Sequence, residues 1–379
     1  MKTLRTIKLK LTTSNPRLQE VAVNFKEAAN WLSHIVFDRK KSCTPSALHR
    51  EFYGTVRSKF NLPSQVTCSL FKHVVSTYRT MRSQKQCNLA IYKKLIIPVC
   101  WKRDFNITKN KLTIWKTAME YQHGPIPEGT WRDSKLKLIG TQWYLCLTIA
   151  IEIPELKKTG NIIGVDSGQK NILVAVDTKT NKTLYVHGGQ LNHRRLCIRQ
   201  TRAKVASVGT RSAHRCLQRL SGREKAVTQQ LLHIASKQLV AFADSVNAKT
   251  IAMEDLSGIR KNKKVGRKQR TRNHRWPYAL CQFFIGYKAE AKGIELDFVS
   301  PAYTSQGCSR CGHTEKANRN GFEFRCKSCN WQDNADRNGA WNIASRLLLR
   351  RQAVAERAAV NPLIVATRAG CQSATNSWL

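Results

Sequence analysis

Four cysteines constrain this chain more than any other feature in it. Cys308-Ser-Arg-Cys311 is followed, fourteen residues later, by Cys326-Lys-Ser-Cys329. Each Cys-x-x-Cys knuckle puts two sulfurs on one tight turn, and two knuckles at this separation suit a tetrahedral Zn²⁺ thiolate site. The run FEFRC ending at Cys326 supplies a hairpin strand between them. Four protein thiolates close the coordination sphere, so one zinc here is structural rather than catalytic. A redox dithiol needs only one such knuckle. Four unrelated buried cysteines are the plain alternative. The other nine, Cys43, Cys68, Cys87, Cys100, Cys146, Cys197, Cys216, Cys281 and Cys371, are scattered singly. They read mostly as small buried residues in a reducing cytosol.

Charge narrows the partners. Lys+Arg is 65 against 24 Asp+Glu, a net +41 over 379 residues. Such a field attracts polyanions. With 41% apolar residues, the chain is more than a disordered basic tail. A nucleic acid is the leading partner and a membrane surface the second. The longest apolar run, near Trp143 to Ile151, is far below the roughly 20 residues that span a bilayer. The N-terminal MKTLRTIKLKL lacks a continuous apolar core, so it does not read as a signal peptide. No membrane role and a cytoplasmic location are expected.

Residues 1–12 alternate as a half-buried strand. Asn15-Pro16 opens a helical block, and 15–92 reads as helical. Residues 93–158 carry short β-rich runs, and with the first strand they could close a small β-barrel around the inserted helices. From 161 the pattern is α/β: strands IIGVD, ILVAVD and TLYVHG form a meander, then 192–248 is helical. Ser221 and Glu224 fit a capping box inside that stretch. KTIAMEDL is a buried strand, 260–275 a cationic loop, 277–293 a helix and LDFVSP a strand. A helix from about Asn338 to Arg351 follows the cysteines, and the tail from 352 has no clear element.

Acids are scarce here, so those ending apolar runs cost desolvation and need a reason. Asp166 ends NIIGVD, Glu254 ends TIAME, and Asp336 stands at a helix start just after the knuckles. Three carboxylates from two strands and a helix N-terminus can converge on one sheet face, where divalent cations would neutralise them. Two Mg²⁺ about 3.5–4 Å apart would activate water and stabilise the leaving oxygen at a phosphodiester. Asp255 and Asp333 are the alternates, although Asp255 points to the opposite strand face from Glu254. Each acid could instead be a cap or a surface residue. Asp166-Ser-Gly168 also matches an aspartic-protease motif, but no second copy is present. Gly164-x-Asp166-x-Gly168 suits the actin and sugar-kinase ATPases too, but no second phosphate loop is found.

Together these residues resemble the TnpB family, transposon-encoded RNA-guided DNA nucleases related to type V CRISPR effectors. GVDSGQKNILVAV (164–176) resembles the first RuvC motif, IAMEDLSGIR (251–260) the second, and 275–312 the run into the family's zinc finger. DRNGAWNIA (336–344) resembles the third, usually D-x-N-A-A-x-N-I, with Gly339 in place of the first Ala. The resemblance implies an α/β multidomain fold. An RNase H-like RuvC nuclease domain carries a zinc-ribbon insertion, beside an N-terminal wedge β-barrel with an inserted helical recognition lobe. The implied layout is wedge strand 1–14, recognition lobe 15–92, remaining wedge 93–160 and RuvC motifs one and two in 161–300. A zinc-finger target-binding insertion occupies 301–332, motif three and its helix 333–351, and a tail 352–379.

It further implies an Mg²⁺-dependent endodeoxyribonuclease with Asp166, Glu254 and Asp336 as catalytic metal ligands and one zinc on Cys308, Cys311, Cys326 and Cys329. Its partners would be a guide (omega) RNA and double-stranded target DNA with an adjacent motif, bound by a monomer on its RNA in the prokaryotic nucleoid. A cleavage-deficient RNA-guided repressor and an unguided RuvC-like nuclease or transposase are the rivals. Helix 64–83 places Ser69, Lys72, His73, Ser76 and Arg79 on its polar side, and Lys72 and Ser76 are candidates for reading the adjacent motif. In the cationic loop, Arg267, Lys268, Arg270, Arg272 and Arg275 are candidates for guiding a DNA strand.

Overall fold

A computed structural model of the chain describes residues 2–12, 15–39, 43–108, 111–122, 126–257, 266 and 276–371, except the side chains of 357–371. Two compact units, Met1–Glu152 and Ile153–Leu379, are each built on their own core.

In the first unit, β1 (Lys2–Leu11) alternates in exposure, and towards its end exposed Lys8 and Lys10 flank buried Leu9 and Leu11. Three helices follow: α1 (Pro16–Asp38), α2 (Pro45–Phe60) and α3 (Ser64–Ser83). The side chain of Asn15 accepts from Arg17 N–H, and that of Thr44 from Ala47 N–H, so each of the first two helices starts on a capped proline turn. Residues 84–92, expected as helix, are not helical. Buried polar contacts outcompete helix there: the Ser33 hydroxyl donates to Ala90 O at 2.6 Å, and the Asn30 amide pairs with both backbone groups of Tyr92.

The strands are β2 (Ile96–Val99), β3 (Phe105–Thr108), β4 (Lys111–Ile114), β5 (Thr117–Met119), β6 (Tyr121–Gln122), β7 (Thr130–Ile139) and β8 (Gln142–Glu152). They form an antiparallel sheet ordered β2-β7-β8-β1-β6 and a separate meander β3-β4-β5. The expected barrel therefore is not closed among the described residues, because β2 and β6 remain outer strands. Leu9, Leu18, Phe25, Leu32, Leu145 and Leu147 lie in this unit's core.

The second unit is α/β. Strands β9 (Asn161–Asp166), β10 (Asn171–Asp177) and β11 (Thr183–His187) make the expected antiparallel meander. Helices α4 (Gly189–Ser207) and α5 (Arg211–Ser245) lead to β12 (Ala248–Glu254), parallel to β9. Helix α6 (Tyr278–Glu290) leads to β13 (Glu295–Val299), parallel to β12. The sheet order is β11-β10-β9-β12-β13. Strand alternation sorts the two faces. Ile163, Val165, Ile251 and Met253 share a core with α5 and α6 residues. Ile162, Ala252 and Val299 share the opposite one with Ile343, Ala344 and Leu347 of the last helix, α7 (Ala335–Cys371). Between β13 and α7 lie the cysteines on a small ribbon of β14 (Arg319–Asn320), β15 (Glu323–Arg325) and β16 (Gln332–Asn334).

Three local expectations are corrected. Ser221 and Glu224 lie inside α5, whose start is capped by the Thr210 side chain. The Ser221 hydroxyl donates instead to Gln218 O, and Glu224 forms ion pairs with Arg195, Arg199 and Arg202 of α4. Helix α7 begins at Ala335, three residues before the expected start, because the Asn334 side chain accepts from Asp336 and Arg337 N–H. It also runs on to Cys371 through a segment expected to lack structure. Among the described residues no helix is long and apolar enough to cross a membrane.

Candidate active site

β9 and β12 are adjacent and parallel, with Met253 opposite Val165, so their last residues, Asp166 and Glu254, end side by side. Both share the strand parity of Ile162 and Ala252, which places them on the face covered by α7. Asp336 is the second residue of that helix. All three acids line one cavity of about 600 Å³, together with Tyr278, Thr304, Arg319 and Gly339.

Helix α7 reaches this position because Gly164 lets it. A Cβ on Gly164 would stand 1.9 Å from Ala340 O and 2.8 Å from Ala344 N. Backbone of strand and helix are in direct contact there, and only glycine fits.

The carboxylates are held by polar neighbours. Asp336 receives Arg319 Nη2 on Oδ1 and Asn171 Nδ2 on Oδ2, each at 3.0 Å. Asn171 Oδ1 is in turn 2.9 Å from His187 Nδ1. Thr304 donates its hydroxyl to Glu254. Desolvation, then the charges of Glu254 and Asp336, push Asp166 up to about 8, against the opposing pull of Arg319. Burial also raises Glu254, opposed by the Thr304 hydroxyl and by Arg346 and Arg319. Burial and mutual repulsion thus both favour the protonated form of these carboxylates. Of the alternates, Asp255 also lines the cavity, at its exposed rim, where it accepts from Ser257 N–H, and Asp333 is ion-paired to Arg337 at 2.5 Å.

The four cysteines do meet. Sγ of Cys308 and Cys329 are 3.7 Å apart, those of Cys311 and Cys326 are 3.6 Å apart, and all four lie within 4.8 Å of one another. A zinc tetrahedron with Zn–S near 2.3 Å requires sulfur separations of about 3.8 Å, so the thiols fit one structural zinc. Backbone N–H groups of Cys329 and Ser328 lower the Cys326 thiol, whereas burial raises that of Cys308. Among the described residues these thiols are the one group of three or more metal-type side chains gathered so closely, and the three acids line a wider space.

Ribbon and helix are bolted together. Asn338 of α7 accepts from Ser309 N–H at 2.9 Å and donates to Gly307 O at 2.7 Å, and Asn342 donates to Gly307 O and Thr304 O. Sequence reasoning missed Arg319, Thr304 and Tyr278 as lining groups and Asn171 as a donor to Asp336. Asn171 stands in the same run as Asp166, but the other three lie in no run with the acids, and only the fold brings them together.

Lys72 and Ser76 are exposed on α3. Lys72 lines a groove with His49, Arg50, Tyr53 and Cys68. The Ser76 hydroxyl donates to His73 O. Of two neighbours expected on the same polar side, Ser69 is buried and His73 is half-buried against the rings of Phe25 and Tyr92. Arg267, Lys268, Arg270, Arg272 and Arg275 of the cationic loop lie outside the described residues.

Comparison with known proteins gives a consistent picture. Residues 278–343 match the family model described as Cas12f1-like, TNB domain. The chain is 28% identical over 225 residues to the CRISPR-associated endodeoxyribonuclease Cas12f1 of an uncultured archaeon, 55% of this chain and 42% of that protein. It thus spans about half or less of the Cas12f1 relatives' length. In structure it is similar to the mini-RNA-guided endonuclease CRISPR-Cas phi3, with a TM-score of 0.51 at 11% identity, over 91% of this chain and 92% of that one. A TnpB-like protein of Methanocaldococcus jannaschii is 31% identical over 231 residues, 58% of this chain. Because that match extends through 81% of the archaeal protein, the chain belongs to the TnpB family.

Proposed function

We propose that this chain is an RNA-guided DNA endonuclease with a single RuvC-type, RNase H-like active site. The observation that carries the reading is the convergence of Asp166, Glu254 and Asp336 on one cavity in a chain of net charge +41. The strand order β11-β10-β9-β12-β13, antiparallel then parallel, supports an RNase H-like core. The names of curated relatives, an endodeoxyribonuclease and a putative RNA-guided DNA endonuclease, support the cleavage reading.

Asp166, Glu254 and Asp336 supply hard oxygen donors of the kind Mg²⁺ prefers. These three would hold two Mg²⁺, which supply water activation and charge stabilisation at the scissile phosphodiester. The chain's own residues set the geometry: Asn171, steadied by His187, orients Asp336, and Thr304 orients Glu254. Zinc on the four cysteines would fix the ribbon, and through Asn338 the start of α7.

The guide RNA and target DNA are the polyanions that the charge calls for. Helix α4 buries only Leu191 and exposes Arg194 and Lys204, which suit phosphate backbones, while Arg195, Arg199 and Arg202 are engaged by Glu224. Sequence reading falls to base pairing, with Lys72 and Ser76 reading the motif beside the target and the 260–275 loop steering a DNA strand.

The test is purification with its copurifying RNA, followed by presentation of a target library carrying randomised flanks. Wild type should cut matched DNA in Mg²⁺. Asp166→Ala, Glu254→Ala and Asp336→Ala should each abolish cutting while retaining RNA and target binding. Binding without cutting by wild type would favour a repressor, and cutting without RNA an unguided nuclease. Either result overturns the proposal.

A further inference from the structure

Arg319 is the one cation whose side chain reaches an oxygen of the acidic trio among the described residues. Its Nη2 is 3.0 Å from Asp336 Oδ1, and its Nε donates to Gly321 O at 3.1 Å. The Asp336 side chain is 12% exposed and that of Arg319 30%, so the pair is partly screened from water. With Asn171 on Oδ2, both oxygens of Asp336 carry an N–H donor. The same guanidinium also acts electrostatically on Asp166 and Glu254.

We infer that Arg319 is the resident counter-ion of the acidic cavity, which must release Asp336 before a divalent cation can be held there, and so sets the threshold for metal loading. The inference deepens the nuclease reading and rests on it. A charge-assisted bond between guanidinium and carboxylate is among the stronger polar contacts. A divalent ion on the same carboxylate and a guanidinium at hydrogen-bond distance repel each other in a partly desolvated space. One of them must yield, and the free energy of displacing Arg319 is subtracted from metal binding.

The placement of Arg319 adds a second layer. It sits on β14, between the knuckles Cys308/Cys311 and Cys326/Cys329, and pairs with Phe324 of β15. Its tie to Gly321 O keeps the side chain folded over its own hairpin. Displacement therefore means either a rotation of the guanidinium away from Asp336 or a movement of this hairpin. A phosphate oxygen of bound nucleic acid is a competing acceptor for the same guanidinium. By drawing Arg319 off Asp336 it would make metal and nucleic acid bind cooperatively, and linkage makes that coupling reciprocal.

The test measures Mn²⁺ binding directly, by the loss of the free-ion electron paramagnetic signal on titration of purified full-length protein. Wild type, Arg319→Gln, Arg319→Lys and Asp166→Asn are compared at matched zinc content. Arg319→Gln should bind Mn²⁺ roughly tenfold tighter or more, Arg319→Lys in between, and a short single-stranded oligonucleotide should tighten Mn²⁺ binding in wild type but much less in Arg319→Gln. A merely structural role would weaken binding rather than strengthen it. Equal or weaker Mn²⁺ affinity in Arg319→Gln, with Asp166→Asn still impaired, overturns the inference and leaves the nuclease reading standing. Wild type binding no more Mn²⁺ than Asp166→Asn overturns the acidic site itself.

Discussion

Replacing Gly164 with Ala should be among the most damaging single-methyl changes this chain can suffer. The added Cβ would stand 1.9 Å from Ala340 O, 2.8 Å from Ala344 N and 2.9 Å from Ala340 C. An ordinary contact needs about 3.4 Å, so α7 and β9 must part by roughly 1.5 Å. All three atoms are helix backbone, so no side chain can rotate out of the way. Overpacking costs about 1–3 kcal/mol, and this geometry belongs at the top of that range. A unit of this size loses about 2–4 °C per kcal/mol, which predicts a melting point lower by about 6–12 °C. The strand shifted is the one ending in Asp166, and the helix shifted carries Asp336 in its first turn. A misplacement near 1 Å can cost about a hundredfold in rate, so cutting should fall by at least that much below the melt. Circular dichroism melts with cleavage measured on the same preparations decide it. A variant melting within about 2 °C of wild type and cutting normally would refute the close-approach argument.

Gly339→Ala should behave oppositely. Its Cβ would meet only the Asp166 side chain, nearest at Oδ2 at an ordinary 3.5 Å, so the gain in helix propensity of about 1 kcal/mol should raise the melting point by a few degrees; a lower one would show that the cavity needs that space. Asp166 is raised from 3.8 to about 8 in the folded chain, so between those values the folded state holds a proton that the unfolded state releases. Stability of the metal-free protein should therefore fall as pH rises across that window, by at most about 1.4 kcal/mol per pH unit, and level off above it. Asp166→Asn should flatten the profile in denaturant titrations, and parallel profiles would contradict the assignment. Cys326→Ser should lose the zinc found by elemental analysis, about one per chain in wild type, and loosen the ribbon, since metal binding supplies the folding energy of so small a module. A zinc-free ribbon that melts as wild type does would rule this out.

The parts of this molecule that the sequence announced are those with a local signature. Cys308, Cys311, Cys326 and Cys329 announce themselves by spacing, and Asp166 and Glu254 by ending apolar runs that must be buried. Their convergence was legible because strand alternation is strict. Pairing between distant segments was not: nothing in 93–158 says that β2 and β6 stay apart. Ser221 and Glu224 misled because Ser-x-x-Glu fits a helix start and a helix interior equally well. The real start carries Thr210 after Gly209, whose φ is +71°. Arg319 was invisible because a hairpin and a ribbon exit separate it from Asp336 in the chain, and only the folded ribbon closes that gap.

Among the described residues, β13 is an outer strand of the second sheet. A bare sheet edge offers backbone hydrogen-bonding groups to any extended chain that meets it. Here α7 takes up part of that offer. Arg350 donates to Phe298 O at 2.8 Å, Arg346 to Ser300 O and Ala302 O, and Arg350 and Arg351 neutralise Asp297 and Glu295. The basic face of this helix is thus also a guard against self-association. A chain cut after Ala344 would keep Asp336 and the ribbon yet lose all three arginines. It would meet its own copies edge to edge, and its failure in a test tube would be precipitation before any loss of chemistry.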